Sequence, residues 1–188
     1  MEFLGNLRLK AGRMIIRRRT SPFRRIRQEF DLEKVKKVGI LWDASSEKDF
    51  QHLAALTRQL SQAGKSVEVL VWIPGKTVPD RLTGITHMKF MKQSDLNWAF
   101  LPTSEDARNF ISSKFDLLID INPGALFQLM AIVSLSSSPM KVGPDMAVEP
   151  EKSPYDLMIR TPGPFSIATF IEQALLYLAM ISTPETRA

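Results

Sequence analysis

The sequence predicts an α/β fold on a mainly parallel sheet, and three observations predict it. Short apolar runs alternate with amphipathic stretches, the runs are continuous, and the connections between them are brief. Continuous runs mark strands covered on both faces, and covered strands alternating with helices lie parallel. Right-handed crossovers then wind the chain into a Rossmann-like three-layer sandwich, here preceded by a basic helical arm.

The elements follow in order. Residues 2–18 place Leu4, Leu7, Ala11, Met14 and Ile15 along one helical face, with Arg8, Arg13, Arg17 and Arg18 over much of the rest. Thr20-Ser21-Pro22 interrupts this helix, because proline disfavours helical geometry in its predecessor. Phe23, Ile26 and Phe30 then repeat at helical spacing among Arg24, Arg25 and Arg27, a second short amphipathic segment. From Lys37 the pattern changes. Residues 38–42 form an apolar strand, and 49–63 a helix that turns Phe50, Leu53, Ala54, Leu56 and Leu60 inward and stops at Gly64. Residues 67–73 form a second strand, ended by Pro74-Gly75, and 86–91 a shorter third.

Thr103-Ser104-Glu105-Asp106 starts the next helix as an acid-terminated capping box. Residues 115–121 read as the most buried strand, 125–136 as an apolar helix, and 140–143 as a short strand. A strand over 155–160, the break Thr161-Pro162-Gly163-Pro164 and a helix over about 165–180 complete the domain. The organisation is therefore an arm over 1–34, a domain over 35–182 and a tail over 183–188.

Charge divides the chain in the same way. The first thirty residues hold nine Lys/Arg against two acids, a net +7, while the whole chain carries +5, so the remainder carries −2. The basic character belongs to the arm, and such an arm is an electrostatic address for polyanions. With 44% hydrophobic and 24% charged residues, the chain as a whole has the composition of a soluble globular protein. The absence of cysteine excludes disulfides, thiolate metal sites and cysteine nucleophiles. No apolar run reaches eighteen residues, and Met14-Ile15-Ile16 is too short for a secretory signal. The arm is Arg-rich like an organelle transit peptide but poor in serine, and cytoplasm is the expected location.

In an open parallel sheet, ligands bind beyond the carboxyl ends of the strands. Those ends supply Asp43, Ser45, Asp120 and Asn122, and the candidate crevice extends to Arg160, Thr161 and Ser166 before the last helix. Two carboxylates at one crevice serve acid–base chemistry or a divalent metal, but they equally serve to turn the chain where strands end, which is the favoured reading. The loop over 42–49 contains no glycine and three acids, and neither G-x-G-x-x-G nor G-x-x-x-x-G-K-[ST] occurs anywhere. That argues against a dinucleotide or nucleoside triphosphate. Arg160 to Ser166 combines an arginine, hydroxyls and a helix start, an anion-site pattern that a rigid Pro-Gly-Pro connector explains as well. His52 and His87 belong to no catalytic or metal-ligand motif. Neither a cofactor nor a bound metal is expected. Trp42 and Trp72 read as core, and Trp98 as a surface anchor or a loop plug.

The passage Phe115-Asp116-Leu117-Leu118-Ile119-Asp120-Ile121, its following Ala/Leu-rich helix and Lys141-Val142-Gly143 resemble the acceptor half of heptosyltransferase-like glycosyltransferases. The resemblance covers about thirty residues; it implies a Rossmann-like domain and sets Asp43 at the family's catalytic position. The second, donor-binding domain of those enzymes has no counterpart here, nor does the Gly-Asp of their first loop. The whole chain also looks like an uncharacterised bacterial family of small single-domain proteins.

Three readings of the arm compete. It packs its apolar face on the domain or a sister subunit, in which case a homo-oligomer is a further expectation. It binds structured RNA, with Arg8, Lys10, Arg13, Arg17, Arg18, Arg19, Arg24, Arg25 and Arg27 on phosphates and Phe3, Phe23 or Phe30 stacking. Or it lies on an anionic membrane surface, as in a peripheral adaptor. Within the first thirty residues arginine outnumbers lysine eight to one, and guanidinium makes bidentate phosphate contacts. The expectation is a non-enzymatic protein docked on RNA or a ribonucleoprotein assembly through this arm. The alternative from another class is a small glycosyltransferase-like or nucleotide/sugar-binding enzyme working at the strand ends.

Overall fold

Six strands form one sheet: β1 (Lys37–Asp43), β2 (Ser66–Ile73), β3 (Met88–Lys92), β4 (Leu117–Asp120), β5 (Met140–Pro144) and β6 (Leu157–Ile159). Their order is β3-β2-β1-β4-β5-β6 and every pairing is parallel, so the sheet expected to be mainly parallel is wholly so. The helices are α1 (Glu2–Thr20), α2 (Phe50–Gln62), α3 (Glu105–Ser112), α4 (Phe127–Leu135) and α5 (Ile167–Ser182). The computed structural model describes residues 2–20, 30–45, 47–124, 126–145 and 153–182.

Each strand end feeds the next element as hydropathy requires. Val38, Ile40 and Trp42 point to one face of β1 and join Val69, Val71 and Ile119 under α2 and α5. Leu41, Leu70 and Leu118 point to the other face, under α3 and α4. Leu53, Leu56 and Leu60 fill the inner side of α2, and Gly64 ends it at φ +75, where a side chain would be strained. The β2–β3 connection holds only a short 3₁₀ turn at Asp80–Leu82, whose Leu82 is buried.

The α3 start differs from the expected capping box. Ser104 is the cap, accepting from the Ala107 backbone N–H at 3.3 Å, and the Asp106 carboxylate accepts instead from the Phe90 backbone at 3.2 Å. The helix keeps a local cap at Ser104, and its acid ties α3 to β3.

The first helix forms an additional layer. Ala11, Ile15 and Ile16 pack with Phe127 on Ala99, Leu101 and Ala131, which explains why α4 is apolar all round: it is covered by the sheet on one side and by α1 on the other. The packed side is rotated from the face that apolar spacing indicated. Gly12 lies against the Phe127 ring and the Ala99 carbonyl, whereas Leu4, Leu7 and Met14 are 60%, 46% and 56% exposed. The backbone approaches most closely where there is no side chain, and hydropathy carries no signal for that. The expected second basic segment falls on residues 21–29, outside the described residues; Phe30, at its end, packs on the core.

Candidate functional site

The order of the strands puts the topological switch point between β1 and β4, so their carboxyl tips are where a ligand crevice would open. Asp43, Asp120 and Asn122 do meet there. The Asn122 amide spans the gap: its Oδ1 accepts from the Asp43 backbone N–H at 2.5 Å, and its Nδ2 donates to the Leu41 carbonyl at 3.2 Å and to Asp120 Oδ1 at 2.5 Å. Asp43 Oδ1 accepts from the backbone N–H and hydroxyl of Ser45 at 3.0 and 2.6 Å, a turn closed by its own side chain.

Asp120 is buried, with its other oxygen taken by the Tyr155 hydroxyl at 2.5 Å. Burial pushes its carboxyl up to about 6, against the lowering effect of the hydrogen bonds from Tyr155 and Asn122. Burial and the neighbouring carboxylate raise the Tyr155 phenol well above its ordinary value, so it stays a donor. Tyr155 reaches this position because its ring lies over Gly143, where any Cβ would overlap it. This partner was missed in the sequence. The signal for it was a glycine inside a buried strand, which marks close approach by another group.

Lys141, two residues earlier on the same face of β5, is also buried. Its ammonium donates to the carbonyls of Val133 and Ser136 at 2.6 and 2.7 Å, closing the carboxyl end of α4. The Lys-Val-Gly passage thus anchors one helix with its lysine and admits one ring with its glycine.

The remaining crevice candidates stand apart. Arg160 donates from Nε to Asp145 at 2.8 Å, with Nη2 at 2.5 Å from the same oxygen. Ser166 accepts from the Thr169 backbone at 3.4 Å at the start of α5, and Thr161 is half-buried in the connector. Gly163 turns that connector at φ +70. Among the described residues no group of three or more His, Asp or Glu could hold a metal ion.

The cations of α1 divide. Arg8 turns inward: its Nε donates to the Trp98 carbonyl at 2.6 Å and its guanidinium stacks 3.9 Å from the Phe100 ring centroid. Lys10, Arg13, Arg17, Arg18 and Arg19 are exposed. Arg24, Arg25 and Arg27 lie outside the described residues. On a helical wheel Leu4, Leu7, Ala11 and Met14 form a stripe between the packed face and the side carrying Lys10, Arg13 and Arg17. Among the described residues no helix is long and apolar enough to cross a membrane.

Fold and site together define a Rossmann-like α/β domain that carries a basic, partly apolar helix on its outer layer. The chain belongs to a family of unknown function, DUF6913, whose model matches residues 8–181. That span takes in α1 from Arg8 onward together with the whole sheet. No curated protein matches the chain.

Proposed function

We propose that this protein is a binding module, not a catalyst, and that α1 docks it on an anionic membrane surface. The observation that carries this reading is the exposed stripe of Leu4, Leu7 and Met14 beside five exposed cations. Cations near anionic headgroups contribute about 1 kcal/mol each. Each half-exposed apolar side chain adds roughly 1 kcal/mol on insertion. Neither contribution holds a protein on a bilayer alone; stable attachment takes two signals, and α1 carries both. The crevice supports the non-catalytic side of the reading, since Asn122 holds the Asp43 backbone and the Asp120 carboxylate, while Ser45 and Tyr155 hold the carboxylates of Asp43 and Asp120. The glycosyltransferase-like passage is likewise accounted for by what Lys141 and Gly143 hold in place.

RNA is the second reading, favoured by one observation: arginine supplies four of the five exposed cations on α1. RNA, however, has no use for an exposed Leu/Met stripe.

Flotation with phosphatidylglycerol vesicles across a salt series, run beside binding to structured RNA, separates the two. The full chain should float. Replacing Leu4, Leu7 and Met14 together by Ser should abolish flotation, as should replacing Arg13, Arg17 and Arg18 by Glu. Steeply salt-dependent RNA binding that survives the Ser substitutions, without flotation of the parent, would hand the function to RNA.

A further inference from the structure

We propose that Trp98 is the aromatic anchor of this surface, seated among the headgroups when α1 lies on an anionic bilayer; the assignment rests on the membrane reading of α1. Trp42 and Trp72 are 0% and 6% exposed, whereas Trp98 is 56% exposed. A tight turn holds it out. Asn97 Oδ1 accepts from the backbone of Ala99 and Leu101 at 2.8 and 3.0 Å, the Asn97 N–H donates to the Leu101 carbonyl at 2.9 Å, and Leu96 pairs with Pro102 across the base. Phe100 sits at φ +58, a region that bulky side chains rarely occupy. In this conformation Ala99 and Leu101 are buried beneath α1 while Trp98 is exposed.

The turn is joined to the docking helix itself. Arg8 binds the Trp98 carbonyl and stacks on Phe100, and Leu4 stands one helical turn before Arg8. The turn that carries the exposed indole thus lies beside α1 on the packed edge of the apolar stripe, with Lys10, Arg13 and Arg17 across the stripe on its other edge. An indole combines an apolar ring with one N–H donor, the combination that settles at the membrane–water boundary, and the neighbouring cations select lipid of negative charge.

The test uses the full chain and its own fluorescence, because the other two tryptophans are shielded. Vesicles of phosphatidylglycerol with brominated acyl chains should shift the emission to the blue and quench it. Phosphatidylcholine vesicles should do neither, and Trp98→Phe should lose the response. Trp98→Ala should weaken flotation about tenfold with an unchanged unfolding midpoint. Flotation with neither blue shift nor quenching would overturn the role of Trp98 while leaving α1 docking intact. No flotation would overturn both. Quenching by poly(U) without a response to vesicles would reassign the indole to base stacking and overturn the proposal.

Discussion

The Tyr155 hydroxyl donates to Asp120 Oδ2 at 2.5 Å, tying the approach to β6 to the tip of the central strand β4. The bond crosses β5 above Gly143, so three neighbouring strands are held by one phenol. A buried carboxylate that loses a donor is left under-solvated, and a charged one suffers more than a neutral one. Tyr155→Phe should therefore cost about 2 kcal/mol at pH 7.5, where Asp120 is ionised, and about 1 kcal/mol or less at pH 5. Urea unfolding at the two pH values measures the difference; equal losses would mean that Asp120 does not change its charge between them.

Asp120 also gives the fold a pH dependence whose direction follows from its proton affinity. Its carboxyl titrates near 6 in the folded chain, against 3.8 for an unperturbed aspartate. The folded chain thus binds more protons across that window. Its contribution to stability is fully present below about pH 4 and is lost as pH rises through 6, a change of about 3 kcal/mol. Asp120→Asn has no such titration. From pH 3.5 to 7 the stability of the parent relative to this variant should fall by roughly that amount, and a flat difference would place the carboxyl at an ordinary value.

Lys141→Met leaves the carbonyls of Val133 and Ser136 without their ammonium donor inside the protein. The expected loss is about 3 kcal/mol by chemical denaturation. Since α4 supports α1, proteolysis after the α1 arginines should accelerate as well. Unchanged stability would show that the end of α4 finds other donors.

The two glycines of α1 should respond oppositely to the same change. A Cβ at Gly5 meets nothing within 4 Å, so Gly5→Ala should gain up to about 1 kcal/mol from helix propensity. At Gly12 a Cβ would stand 2.7 Å from the Phe127 ring, so Gly12→Ala should lose about 1–3 kcal/mol and loosen α1. Thermal unfolding and protease sensitivity of the pair check both signs.

Much of the fold was legible because hydropathy speaks directly for buried strands. The runs Val38 to Trp42 and Val67 to Ile73 became β1 and β2, and Leu53, Leu56 and Leu60 became the inner side of α2. What was not legible depends on groups that hydropathy misfiles. Lys141 reads as solvated until α4 is seen to need a donor, and Gly12 reads as a weak helix position until Phe127 is set against it. For the crevice, the residue types at the strand ends indicated where groups would meet. Their spacing could not show that Asn122 would bridge them or that Tyr155 would arrive over Gly143. Trp98 read as either a surface anchor or a loop plug, and its exposure in the turn bound to Arg8 required the tertiary structure.

Arg8 and its partner Trp98 are separated by ninety positions in the chain. A ribosome adding about 5–20 residues per second makes α1 roughly 5–20 s before the turn that receives it. Throughout that interval the side destined for Phe127 and Ala131 is as open as the side that stays outside. The last contacts of α1 are thus set by the pace of translation, and the nascent chain shows this cationic helix before the sheet and α4 that it packs against are made.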